Sequence, residues 1–290
     1  MKARVLVSVV GVPFLIAVLG VAPDWATLIL VAGMCAIGAL ELMRAVAGEA
    51  GKPLFPLTVL AAALIPVCVY WEMAGELGTV EDLIPLPAVE LWSGVFLFLL
   101  FLIAIWRYDR QKAVPFAAVT AALFAGLVFP LMLSCLLRLR MIPYIGMLLV
   151  FFPLCISFGS DTFAYFSGLL FGKHKLSPYV SPKKTVEGAV GGLVGGVVGM
   201  LLMVFVGGAV LSDAYMAPAE AVVFGLVGSV VSQIGDLSFS VIKREFGVKD
   251  YGRLLPGHGG ILDRFDSVTF AAPAVWLTLQ MMWTGALFPV

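Results

Sequence analysis

Charge is what this sequence has least of. Only 12% of its 290 residues are charged, about half the share of roughly 25% usual in a soluble domain, and 61% are hydrophobic. That balance excludes a water-soluble globule. Lys and Arg together number 18 and so do Asp and Glu, for a formal net charge of zero. There is therefore no basic surplus of the kind that marks a nucleic-acid partner. Cysteine is scarce as well. Cys35, Cys68, Cys135 and Cys155 all fall inside apolar runs and form no CxxC pair, so zinc and redox chemistry have no footing and the four read as buried neutral thiols.

Long hydrophobic runs are what the chain does have. A helix needs roughly 20 apolar residues to cross a hydrocarbon core of about 30 Å. About nine such segments can be drawn: Val5 to Val21, Trp25 to Leu42, Leu54 to Trp71, Leu91 to Trp106, Pro115 to Leu136, Tyr144 to Gly172, Ala189 to Leu211, Ala219 to Ile234 and Ser267 to Leu287. Lys2 and Arg4 before the first run resemble the start of a secretory signal, but no small-x-small cleavage site follows, and the run is taken as a retained span. The sixth segment is over-long and contains Asp161, which predicts a break or a tilt. Because helices satisfy their own backbone hydrogen bonds in lipid, the expected fold is an all-α, polytopic integral membrane protein. It is read as one membrane domain, residues 1–290, with a helical scaffold over about 1–140 and the chemistry-bearing residues over about 141–290.

An N-terminus in the cytoplasm places every Lys and Arg on the inside except Arg138 and Arg140, the bias expected of a multi-pass protein. Two inside segments then stand apart, Lys173 to Gly188 and Gly235 to Asp266, both dense in charge, Gly and Pro. The seventh span opens GAVGGLVGGVVG, with Gly188, Gly192 and Gly196 on one stripe and Gly191, Gly195 and Gly199 on the next. Such stripes let helices approach closely, either within one bundle or against a second copy in a homodimer.

In the first polar segment, Ser181, Lys183, Lys184 and Thr185 offer hydroxyls and point charges just before a helix N-terminus, a natural anion site. A solvated basic turn explains the same residues equally well. In the second, Lys243, Arg244, Lys249, Arg253 and Arg264 mingle with Asp236, Asp250, Asp263 and Asp266 around His258. Cations of this kind bind phosphates, and carboxylates hold Mg²⁺ together with substrate phosphates. Asp236 closes one span and Asp263 opens the next. His258 in a Gly-rich turn also has a purely structural reading, and Asp266 one as a helix-dipole partner. Asp161, an acid in an apolar stretch, is a functional candidate by default, with helix capping at the membrane rim as its alternative.

The run Ser240 to Asp266 resembles the signature of the phosphatidate cytidylyltransferases, the CDP-diacylglycerol synthases. Ser240, Ile242, Lys243, Arg244, Lys249, Asp250, Gly252, Leu255, Pro256, His258, Gly259, Gly260, Ile261, Asp263, Arg264, Phe265 and Asp266 match it without a gap. An upstream block matches too, as Asp161, Thr162, Ala164 and Tyr165 followed by Ser181, Pro182, Lys184 and Thr185. The resemblance implies transfer of a cytidylyl group from CTP to phosphatidate at the cytoplasmic face of the cell's inner (plasma) membrane. It implies Mg²⁺ held by Asp236 and Asp263, with a monovalent cation such as K⁺ beside it. Asp161, Lys243, Arg244 and His258 join the catalytic set, and Ser181, Lys183, Lys184, Thr185, Lys249, Asp250, Arg264 and Asp266 the substrate-binding set. Two other readings use the same residues: a CTP-dependent lipid-alcohol kinase, against which the full signature argues, and a transporter, against which the gathering of polar residues on one face argues.

Overall fold

The computed structural model describes residues 2–76, 87–108, 113–211, 216–254 and 259–283. His258, Leu255 and Pro256, singled out by the signature, lie outside the described residues. Among the described residues, seven helices are long and apolar enough to cross a membrane: Asp24–Val46, Gly48–Glu76, Ala88–Trp106, Phe116–Arg140, Gly146–Phe171, Val186–Val210 and Pro218–Glu245. The other two expected segments are helical as well. Lys2–Ile16 runs into a π-helical turn, Ala17–Val21, and Leu262–Trp283 opens on Asp263, Arg264 and Asp266. The protein is an all-α polytopic membrane protein. Its outer surface agrees with lipid as solvent: the Ala88–Trp106 helix buries only Phe96 and Leu100 and leaves Phe98, Leu102 and Ile105 exposed.

The chain divides into two compact units, Met1–Pro143 with Glu245–Arg264, and Tyr144–Arg244 with Phe265–Val290. In the first, Val31, Cys35, Leu42, Met43, Ile65, Phe96 and Phe129 make the core. Gly38 lets the ring of Phe129 against its helix, since a Cβ there would meet that ring at 2.7 Å. The segment from Phe116 is interrupted by a π turn, Phe124–Val128, directly before Pro130, whose missing N–H and bulky ring disturb the i→i−4 ladder. Arg138 and Arg140, the two cations outside the expected cytoplasmic set, both have acidic partners. Arg140 pairs with Asp24 at 2.8 Å and donates to the Ala22 carbonyl, and Arg138 lies 4.0 Å from Glu72.

In the second unit the over-long sixth segment is indeed broken, into Gly146–Leu149 and Phe152–Phe171. The second piece starts with Pro153 in its first turn, where a proline is tolerated because its N–H would have no partner. Phe152–Phe171 packs closely along Val186–Leu211, and the glycine stripes make this contact. A Cβ on Gly195 would collide with the Gly159 carbonyl, and one on Gly199 would sit 2.6 Å from the Cys155 carbonyl. Gly196 and Gly192 meet Ser229 and Gln233 of Pro218–Glu245. The stripes are therefore filled within one chain.

One boundary and one loop differ most from what the sequence suggests. The helix expected to end at Ile234 continues to Glu245, because the drop in hydropathy marks the exit from hydrocarbon and not the end of backbone hydrogen bonding. Gly235 admits Phe270, Phe239 stacks edge-on against the same ring at 6.1 Å, and Lys243 and Arg244 fall in the last turn, where the helix dipole favours cations. Gly247 then reverses the chain at φ +66°. Asp236 thus lies inside this helix and does not close it. The Lys173 to Gly188 segment holds a small antiparallel hairpin, β1 (Lys175–Ser177) paired with β2 (Ser181–Thr185).

Candidate active site

A cavity of about 450 Å³ in the second unit is lined by residues from three separate stretches of chain. Asp161 and Tyr165 come from the Phe152–Phe171 helix, Lys183, Lys184 and Thr185 from β2, and Gln233 and Asp236 from Pro218–Glu245. Leu169 and Leu176 add apolar wall. Both halves of the upstream block of the resemblance, through Asp161, Ala164 and Tyr165 and through Lys184 and Thr185, therefore meet Asp236 on one cavity. Asp161 is mid-helix and exposed into this space, which removes helix capping as its role.

Lys184 forms an ion pair with Asp236, and the Ser240 hydroxyl donates to the other Asp236 oxygen at 3.4 Å. Asp161 and Asp236 are close enough to repel, with Lys184 as the cation that moderates them. The Gln233 side-chain amide donates to the Ala189 carbonyl at 3.1 Å and to Ser160 at 3.4 Å, so it bridges helices as well as lining the cavity. Thr185 is buried, and its hydroxyl accepts from the Gly188 N–H at 3.1 Å, an N-cap for Val186–Leu211. Glu187 in that first turn accepts from the His174 backbone and meets its ring at 2.7 Å, which fixes the hairpin's entry.

Further along Pro218–Glu245, Lys243 lies 3.9 Å from Asp266, both largely buried. Arg244 donates from Nε to the Val180 carbonyl at 3.1 Å, tying the helix end to the β1–β2 turn. Ser181 is half-buried at the start of β2, and Lys183 is exposed.

The rest of the signature belongs to the first unit. Lys249 and Asp250 are exposed after the helix end, and Arg264 is exposed in the first turn of Leu262–Trp283. Asp263 uses Oδ2 to accept from the Tyr251 N–H at 2.8 Å and the Gly260 N–H at 3.0 Å. Glu41, a residue that sequence reasoning passed over, is buried on Asp24–Val46 and accepts from the N–H groups of Ile261 and Leu262 at 3.2 and 2.9 Å. The available signal was an acid in an apolar run, masked by its place at the end of the run beside Arg44.

Among the described residues no three His, Cys, Asp or Glu side chains converge on a common point. The donors that are present are carboxylates and hydroxyls, and Mg²⁺ is commonly held by one or two carboxylates with substrate phosphates completing its shell. The oxygen donor set therefore suits that ion.

The model of the cytidylyltransferase family matches residues 2–282. Proteins named phosphatidate cytidylyltransferase are similar to this chain. One from Staphylococcus saprophyticus is 46% identical over 135 residues, covering 46% of this chain and 50% of that protein. One from Bacillus subtilis is 35% identical over 161 residues, 56% of each. One from Haemophilus influenzae is 38% identical over 132 residues, 45% of each. The chain spans about half the length of the curated relatives it matches.

Proposed function

Because the chain belongs to the cytidylyltransferase family, we propose that it is a membrane nucleotidyltransferase that converts CTP and phosphatidate to CDP-diacylglycerol and pyrophosphate, a step of phospholipid biosynthesis. The observation that carries this reading is the cavity where Lys183 and Lys184 stand beside Asp161 and Asp236 with apolar wall from Leu169 and Leu176. Its mixture of cations, acids and hydrocarbon suits a phosphate on a lipid.

In the reaction a phosphate oxygen of phosphatidate bonds to the α-phosphorus of CTP, and the bond from that phosphorus to the α–β bridging oxygen breaks, releasing pyrophosphate. Two anions must approach, so fixed cations lower the barrier most where charge builds up on the leaving group. Lys183, Lys184, Lys243, Arg244 and Arg264 supply that charge, Asp236 orients Lys184, and Asp161 sets the polarity of the lipid-facing wall. Ser181, Thr185, Lys249, Asp250 and Asp266 complete the substrate-binding set, and His258 the catalytic set, by motif position. By motif position Asp236 and Asp263 would hold Mg²⁺, with a monovalent cation such as K⁺ beside it, and the ion would supply further neutralisation of the phosphates.

The Lys/Arg distribution supports a cytoplasmic N-terminus and cytoplasmic catalytic segments in the inner (plasma) membrane. No nucleic acid takes part. A homodimer, if formed, uses a surface other than the filled glycine stripes. Purified protein given CTP, phosphatidate and Mg²⁺ is expected to form CDP-diacylglycerol and pyrophosphate in equal amounts. Absence of a CDP-lipid under those conditions would contradict the reading.

A further inference from the structure

Glu41 is an acid with 6% of its surface exposed, on a helix apolar enough to cross a membrane. A buried carboxylate is tolerated only when its oxygens are satisfied. Here both are used on one target: Oε1 accepts from the Ile261 N–H and Oε2 from the Leu262 N–H. Leu262 begins the last helix, so Glu41 serves first-turn N–H groups that have no partner within that helix. The approach is close because the facing residues have no side chain. A Cβ on Gly252 or on Gly260 would collide with the Glu41 carboxylate.

The same segment is held a second time by its own acid, since Asp263 accepts from Tyr251 and Gly260. Together the two carboxylates take the N–H groups of Gly260, Ile261 and Leu262 in succession, and that of Tyr251 across the segment. N–H bonds to a carboxylate are roughly twice as strong as neutral ones. The backbone leading into Asp263 and Arg264 therefore has little freedom.

We infer that Glu41 is a positioning residue: it clamps the chain at Ile261 and Leu262 so that Asp263 and Arg264 hold one orientation for the transfer reaction. The inference rests on the reaction proposed above. Gly252 and Gly260, which the signature requires to be small, are explained by it as the clearance for this carboxylate.

The test compares wild type with Glu41→Gln, which keeps the shape and one acceptor oxygen but replaces the other with a donor group facing an N–H. Hydrogen exchange by mass spectrometry is read on peptides covering residues 250–265. Steady-state CDP-lipid formation is read on the same detergent preparations, per folded molecule. Exchange in that segment is expected to rise by about 10-fold or more, with other segments unchanged. Turnover is expected to fall by about 10- to 100-fold, the scale of a misplacement of about 1 Å, with KM for phosphatidate unchanged. Glu41→Asp, shorter by one methylene, carries the same test if Glu41→Gln does not yield folded protein. Unchanged exchange would overturn the clamp. Faster exchange with wild-type kcat would make Glu41 structural only. A wild type that forms no CDP-lipid would instead defeat the reaction itself, an outcome distinguishable from an active wild type with an equally active variant.

Discussion

Single residues matter most here where acids stand in or beside apolar stretches. Asp161 and Asp236 line one cavity with Lys184, which is paired with Asp236, so each is expected to matter for charge and not for shape. Asp236→Asn should lose turnover by at least about 100-fold, and Asp161→Asn by about 10-fold or more, while both variants keep the thermal transition of wild type in detergent. Wild-type turnover in either would remove that residue from the site. These two acids were legible in the sequence because an ionisable group is conspicuous inside or beside an apolar run. Glu41 was not, since the run it ends is followed by Arg44 and reads as the point where a span leaves the membrane. Only the fold, by carrying Ile261 and Leu262 back to it, shows what it holds.

Among elements, the glycine-striped helix Val186–Leu211 separates packing from mere composition. Gly195 faces the Gly159 backbone of Phe152–Phe171, whereas at Gly208 a Cβ would meet no atom of another element within 4 Å among the described residues. Gly195→Ala should therefore destabilise the protein by about 1–3 kcal/mol through overpacking, and Gly208→Ala should be neutral or slightly stabilising, because alanine restricts the unfolded chain. Thermal unfolding of the two variants side by side checks this, and equal loss in both would contradict the packing assigned to the stripe. The helices themselves were readable from hydropathy, which tracks the solvent around a segment. Where secondary structure outlasts the change of solvent, hydropathy misleads: Pro218–Glu245 continues past Ile234 because Gly235, Phe239 and Phe270 pack there. The β1–β2 hairpin, short and holding Pro182 within β2, leaves no alternating pattern to find.

At the largest scale the chain is a multi-pass membrane protein, and we propose for it polar chemistry on the cytoplasmic side and cytidylyl transfer as that chemistry. Tyr179 at the hairpin turn is 94% exposed, so in a variant lacking Cys35, Cys68, Cys135 and Cys155, Tyr179→Cys should react with an impermeant thiol reagent in inverted vesicles and not in intact cells. Labelling from outside intact cells would reverse the orientation. The fate of each phosphorus of CTP decides which reaction the protein performs. Purified protein is incubated with phosphatidate, Mg²⁺ and CTP labelled either at the α- or at the γ-phosphate, and the lipid fraction is counted. Under cytidylyl transfer, α-label is expected to enter the lipid while γ-label leaves as pyrophosphate. Lipid labelled from the γ-phosphate would identify a kinase, and lipid labelled from neither would contradict transfer altogether.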